Sequence, residues 1–150
     1  MAGYELRKTL SLNGDVTRGV CDHDKQMYLS GVVEHLKISP DGRGAVSRAN
    51  ADQDIRFSGD EVVSMNFWGF RQGLFDHLKL AFSEFLSDRG GELKSEIYIP
   101  LVVDQLIQAG KVRVKILPTH DPWFGVTYRE DKPLAQDKIR GLIADGIYPE

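Results

Sequence analysis

The spacing of apolar residues changes near the middle of the chain, and this change constrains the fold more than any other feature. Up to about residue 70 the apolar residues form short β-prone stretches between turn residues, and beyond it they mostly recur every three or four residues. Strands and helices in one chain predict an α/β domain with a mixed sheet and flanking helices. Because no repeat or linker divides the sequence, we expect a single domain over residues 1–150.

Three strands are predicted in the first half of the chain. They cover residues 16–21, 27–38 and about 61–70, and Asn13 and Gly14 supply turn chemistry before the first of them. Residues 39–54 are rich in Pro, Asp, Gly, Arg, Ser and Asn, so we expect a surface loop there. Cys21 lies in the first strand, where it is expected to be a small buried apolar residue.

Three helices are predicted in the second half. They cover residues 73–87, 99–109 and 132–144, where apolar residues recur at helical spacing. Glycines at 90, 91, 110 and 146 follow these runs and are expected to end the helices. Residues 111–116 alternate between basic and apolar side chains, which predicts a half-buried strand.

Composition and charge limit the classes of partner. Apolar residues make up 41% and charged residues 27%, an ordinary globular balance. The net charge of −3 gives no general attraction for nucleic acid or anionic lipid, so neither is expected as a partner. A single cysteine cannot form an internal disulfide, and no apolar run approaches the ~20 residues that cross a bilayer, so we expect a cytoplasmic protein.

No stand-alone catalytic motif is present. The sequence contains no Walker loop, no G-x-G-x-x-G, no C-x-x-C and no H-E-x-x-H. The four histidines are scattered without a metal-ligand spacing, and His77 is expected to be a solvated surface residue. These observations alone assign no catalytic residue.

Five longer segments are more informative. They are TRGVC at 17–21, VVEHLK at 32–37, MNFWGF at 65–70, KSEIYIP at 94–100 and WFGVTYREDKP at 123–133. In this order and spacing they resemble a family of bacterial sugar-phosphate nucleotidyltransferases with a GT-A-like, Rossmann-related fold. The resemblance covers nearly the whole chain, from about Gly3 to Pro149, and the fourth and fifth segments are its most specific parts.

The resemblance implies an activity and its partners. Enzymes of this type join a nucleoside triphosphate to a sugar 1-phosphate and release pyrophosphate, with Mg²⁺ and basic residues around the phosphates. The family's Gly-rich nucleotide loop and its first metal-binding Asp precede everything seen in this sequence. We therefore expect the C-terminal, sugar-binding portion of such a domain, inactive alone, with a sugar phosphate and, when complete, a nucleoside triphosphate as ligands.

The resemblance also implies sugar-binding roles for Glu34, Lys37 and Asn66. Glu34 would hold sugar hydroxyls, Lys37 would meet the sugar phosphate, and the amide of Asn66 would bind a hydroxyl. On a regular strand a separation of three places Glu34 and Lys37 on opposite faces, so the role of Lys37 requires a bulge. The alternatives are a solvated strand face for Glu34 and a strand-closing position for Asn66.

Further roles follow for the last two segments. Lys94 and Glu96 would reach the sugar pocket or form an ion pair at the start of a helix. In the family a Trp is followed two residues later by a metal-binding Asp, but after Trp123 that position is Gly125. The second metal ligand of the family is therefore either absent or displaced to the later acidic residues Glu130 and Asp131. Asp131 is the candidate magnesium ligand, with a helix cap as its alternative role.

A second hypothesis belongs to another class of function. The chain would then be a non-catalytic binding or assembly domain that kept the scaffold and self-associates as a homo-oligomer. An exposed sheet edge favours this outcome, because unpaired N–H and C=O groups invite another strand.

Trp68 and Phe70 are expected to be core residues rather than a sugar platform, because they alternate with Phe67 and Gly69.

Overall fold

The computed structural model describes residues 1–49, 53–126 and 128–149. Within these residues the strands are β1 (Ala2–Glu5), β2 (Val16–His23), β3 (Leu29–Asp41), β4 (Gly44–Ser47), β5 (Ile55–Phe57), β6 (Val62–Ser64) and β7 (Leu117–Pro118). The helices are a short 3-10 helix (Leu6–Thr9), α1 (Leu74–Arg89), α2 (Ile99–Gln108) and α3 (Asp131–Ala144).

The seven described strands form one mixed sheet in the order β5-β4-β3-β2-β6-β1-β7. β1 pairs in parallel with β7, whereas the β2–β6, β3–β4 and β4–β5 pairs are antiparallel. The predicted α/β class with a mixed sheet and helices is confirmed.

Two compact units can be distinguished, and each is described by itself. The first comprises Met1–Gly3, Gly19–Glu34 and Val62–Pro118, and the second comprises Tyr4–Arg18, His35–Glu61 and Thr119–Glu150. The expectation of a single domain stays a prediction.

The first unit contains two clusters of buried apolar side chains. One consists of Met1, Cys21, Leu29 and Ile116, and the other joins Leu74 of α1 to Val102 and Leu106 of α2. Full burial of such side chains contributes roughly 1.5–3 kcal/mol each. The expected burial of Cys21 in a strand is confirmed.

The predicted strand at residues 61–70 is wrong beyond Ser64, where β6 ends. Asn66 has a φ of 57°, a left-handed conformation that a regular strand does not allow. The chain then follows an irregular path to α1. Trp68 packs against the first apolar cluster as expected, but Phe70 is 38% exposed and is not a core residue.

The predicted strand at residues 111–116 is only partly right. Its apolar residues are the less exposed ones, as the alternation indicates, but regular pairing is limited to a single bridge between Lys115 and Tyr28. The neighbouring segment cannot provide a longer ladder, because Met27 has a φ of 61°. The N–H of Ile116 nevertheless donates to the Met27 carbonyl at 2.8 Å.

The three predicted helices are confirmed as α1, α2 and α3, with small differences at their ends. Two of them end on a left-handed glycine, Gly110 with a φ of 67° and Gly146 with a φ of 71°. After α2 the N–H of Lys111 donates to the Leu106 carbonyl, and after α3 the N–H of Ile147 donates to the Leu142 carbonyl. This is the Schellman arrangement, and it explains why glycine ends both helices.

In the second unit a hairpin replaces most of the predicted loop at residues 39–54. β3 continues to Asp41, the chain turns at Gly42 with a φ of 61°, and β4 returns along β3. Ala45 and Val46 are fully buried, so the small apolar residues of this polar segment form core. Of the predicted loop, residues 50–52 lie outside the described residues.

Candidate functional site

The residue pair Gly19–Ser64, where β2 meets β6, is the centre of the candidate site in the first unit. A β-carbon built on Gly19 would lie 3.3 Å from Oε2 of Glu34 and 3.0 Å from Cγ1 of Val32. The place of the missing side chain is therefore closely approached by Val32 and by the Glu34 carboxylate, and Gly19 itself is buried. Glu34 itself is exposed on β3.

Asn66 lies two residues after Ser64, just beyond the end of β6. Its backbone N–H donates to the Ser64 hydroxyl at 3.2 Å, and its left-handed φ turns the chain away from the sheet directly after the strand. Asparagine tolerates this conformation better than most residues. The side chain is exposed, so its amide can both donate and accept hydrogen bonds. Glu34 thus lies beside Gly19 through its carboxylate, and Asn66 lies beside Ser64 through its backbone.

Glu96 also belongs to this group, together with a residue that the sequence reasoning missed. The hydroxyl of Tyr98 donates to the Glu96 carboxylate. This hydrogen bond, followed by the negative charges of Glu96 and Glu34, raises the pKa of the Tyr98 hydroxyl. Tyr98 lies two residues after Glu96 in the KSEIYIP segment, and this nearness in sequence is the signal that could have identified it.

Lys94 is exposed, and the ion pair considered for it is not formed. Among the ion pairs of the described residues none joins Lys94 to Glu96, whose carboxylate accepts from Tyr98 instead. α2 begins later, at Ile99, with Pro100 in its first turn. A role for Lys94 or Glu96 toward a sugar stays a prediction.

Lys37 belongs to the second unit, whereas Gly19 and Ser64 belong to the first. Its φ of 50° interrupts the regular strand, and the next buried residue of β3 is Ile38. The carbonyl of Lys37 accepts from the N–H of Arg48 at 3.1 Å. The irregularity needed to re-aim Lys37 is therefore present, and its binding role stays a prediction.

The WFGVTYREDKP segment has a packing role in the second unit. The ring of Trp123 lies 5.2 Å from the guanidinium carbon of Arg18, a cation–π contact. A β-carbon on Gly125 would lie 2.5 Å from that ring, so an aspartate could not take this position without moving Trp123. Thr127 lies outside the described residues.

Asp131 is the first residue of α3 rather than its N-cap, which is Glu130. Its buried carboxylate accepts from the Asn13 amide at 2.6 Å, the Ser11 hydroxyl at 3.3 Å and the Tyr128 N–H at 2.8 Å. The donors from Ser11 and Asn13 connect the turn at residues 11–13 to the start of α3, and the Tyr128 N–H comes from the residues just before the helix. Asp131 therefore acts as a structural acceptor at the helix start, although not through the predicted cap geometry.

The surroundings of Asp131 do not fit a magnesium ion. Both carboxylate oxygens already accept hydrogen bonds from protein donors. Within residues 1–49, 53–126 and 128–149, no group of three or more His, Cys, Asp or Glu side chains is arranged to hold a metal. Magnesium stays a prediction of the resemblance, and no step below uses it.

The group around Gly19 and Ser64 suits hydroxyl recognition rather than covalent catalysis. Cys21, the one thiol of the chain, is buried in β2. Burial raises the pKa of this thiol to about 12, and the nearby carboxylates of Asp22 and Glu34 act in the same direction. An exposed carboxylate, an amide and a phenol hydroxyl together can accept from and donate to several ligand hydroxyls.

None of the helices in the described part of the chain is long and apolar enough to span a bilayer.

Comparisons with known proteins assign no family to the chain. A scan against models of known protein families finds no match, and a search of curated proteins finds none either.

Proposed function

We propose that the first unit binds the sugar of a sugar phosphate through Glu34 and Asn66, as the sugar-binding part of a nucleotidyltransferase-like domain. Two observations support this proposal: the Glu34 carboxylate lies beside Gly19, and the backbone N–H of the exposed Asn66 donates to Ser64, the strand partner of Gly19. The order of the five sequence segments supports the nucleotidyltransferase part of the proposal only as a resemblance, and the chemistry of the side chains supports the sugar-binding part.

The chemistry of the group matches a polyhydroxylated ligand. Sugar hydroxyls donate to a carboxylate in charge-assisted hydrogen bonds, and an amide can bridge two neighbouring hydroxyls. The phosphate of the ligand requires positive charge, which Lys94 would supply from the same unit. Since all these side chains are exposed, the contacts are screened by water and we expect dissociation constants near the millimolar range.

The alternative, self-association through an exposed sheet edge, receives less support. The end strands of the described sheet are β5, with three residues, and β7, with two. Short end strands are one of the means by which proteins prevent edge-to-edge pairing. Arg56 on β5 is moreover paired with Asp41, so this edge also carries charge.

A comparison of two glutamate variants tests the proposal. Glu34→Gln keeps the shape of the side chain but removes its charge, and we expect roughly tenfold weaker binding of hexose 1-phosphates. Glu84→Gln on the exposed side of α1 is the matched control and should bind as the wild type does. Affinity is measured by NMR titration. Equal affinities for wild type and Glu34→Gln would remove Glu34 from the site.

A further inference from the structure

A cavity of about 890 Å³ opens in the first unit, on residues other than the proposed sugar-binding group. Its walls come from the segment after β6, from α1 and α2, and from the stretch that leads into β7. The volume lies within the usual range of small-molecule sites, about 300–1,000 Å³. Neither Glu34 nor Asn66 contributes to these walls, so the cavity is separate from the proposed function.

The charge of the cavity is opposite to that of the whole chain. Four of its lining residues are basic, namely Arg71, Lys111, Arg113 and Lys115, and none of the described lining residues is Asp or Glu. The chain as a whole has a net charge of −3. Basic side chains are therefore concentrated at this cavity, which favours an anionic ligand.

Two of the four cations are available to such a ligand. Arg113 and Lys115 lie over the ring of Tyr28, at 3.9 Å and 4.8 Å from its centroid. Arg71 and Lys111 are exposed and take part in none of the ion pairs among the described residues. The guanidinium group of Arg71 can donate two parallel hydrogen bonds to an anion, and the ammonium group of Lys111 can add a localised positive charge.

The apolar lining of the cavity includes a stacked pair of aromatic rings. The rings of Trp68 and Phe70 stack with centroids 5.6 Å apart and an angle of 12° between their planes. The indole nitrogen of Trp68 is buried and has no hydrogen-bond partner among the described residues. A buried donor without an acceptor is uncommon in folded proteins.

We propose that this cavity binds a small organic anion with a flat apolar body, in which the anionic group meets Arg71 and Lys111 and the body packs on the aromatic wall. The phosphate, sulfonate or carboxylate of such a molecule supplies the charge that the basic residues require. The apolar body of the ligand buries apolar surface in the cavity, which an inorganic anion cannot do.

The test uses the whole chain and three probes, which distinguish the contribution of the anionic group to binding from that of the apolar body. 1-Naphthyl phosphate has both, 1-naphthol has the body alone, and inorganic phosphate has the charge alone. Binding is followed through the indole N–H signals of Trp68 and Trp123, which Trp68→Phe assigns. We expect 1-naphthyl phosphate to shift the Trp68 signal, to leave the Trp123 signal in place and to bind at least tenfold more tightly than either other probe.

Charge variants complete the test. The double variant Arg71→Gln/Lys111→Gln should bind 1-naphthyl phosphate about tenfold more weakly than the wild type. The double variant Lys25→Gln/Lys79→Gln removes the same charge outside the cavity and should bind it as the wild type does. Equal binding of 1-naphthol and 1-naphthyl phosphate would overturn the proposal, as would an unmoved Trp68 signal. Equal binding by the two double variants would also overturn it. The probe comparison on the wild type holds even if a variant fails to fold.

Discussion

Gly19 illustrates how one absent side chain defines the candidate site. Its hypothetical β-carbon would approach Val32 and the Glu34 carboxylate at 3.0 and 3.3 Å, closer than most real contacts of this kind. Any larger residue would therefore displace Glu34 or cover it. Glycine at this position thus keeps the Glu34 carboxylate where it is, against β2.

Cys21 provides a prediction at the same scale. Its pKa of about 12, against an ordinary 9.0, lowers the thiolate fraction near pH 8 roughly a thousandfold. Because the thiolate is the reactive form, we expect alkylation by iodoacetamide to be at least about a hundredfold slower in the native protein than in guanidinium chloride. Mass spectrometry follows the single cysteine directly. A native rate within a few-fold of the denatured rate would contradict this burial.

Single-residue roles were only partly predictable from the sequence. The burial of Cys21 followed from its place in a strand, and the turn at Asn66 agrees with the known tolerance of asparagine. His77, expected to be solvated, is half-buried and lines the cavity. Its position depends on segments distant in sequence, which helical spacing does not reveal. Tyr98 was missed because its contact with Glu96 depends on side-chain orientation.

The helices are the elements whose ends the sequence specifies best. α3 contains Gly141 in its interior and is followed by Gly146, and these two glycines have different backbone conformations. Gly146 is left-handed at 71°, whereas Gly141 is helical and has open space where a β-carbon would be. The same substitution should therefore have opposite effects at the two positions.

We expect Gly141→Ala to stabilise the protein by about 0.5–1 kcal/mol, because alanine loses less conformational entropy in a helix. Gly146→Ala should destabilise it by about 1 kcal/mol, because a β-carbon is disfavoured in the left-handed region. Thermal or urea unfolding of both variants against the wild type measures the difference. If Gly146→Ala were as stable as Gly141→Ala, the Schellman ending of α3 would be wrong.

Strand positions were harder to predict than helices for a physical reason. Helical spacing depends on neighbours three or four residues away, whereas a strand needs a partner that the sequence does not identify. The hairpin of β3 and β4 is the clearest case, since its polar residues suggested a loop. Its small core residues, Ala45 and Val46, gave little apolar signal.

At the scale of the whole molecule, the distribution of charge was not predictable from composition. The net charge of −3 indicated no particular partner, yet the basic residues at 71, 111, 113 and 115 line one cavity. Three of them follow α2 in alternation with apolar residues, and Arg71 comes from the segment before α1. Only the tertiary structure brings such separated residues together.

The central claim is that a sugar phosphate binds at the Gly19–Ser64 pair. An amide NMR titration with hexose 1-phosphates, run to about 10 mM to cover the millimolar range, tests it most directly. We predict progressive shifts of the Gly19, Ser64 and Asn66 amides, with the Glu84 amide on α1 unmoved. If no hexose 1-phosphate shifts the amides around this pair, or if only distant amides respond, the claim is contradicted.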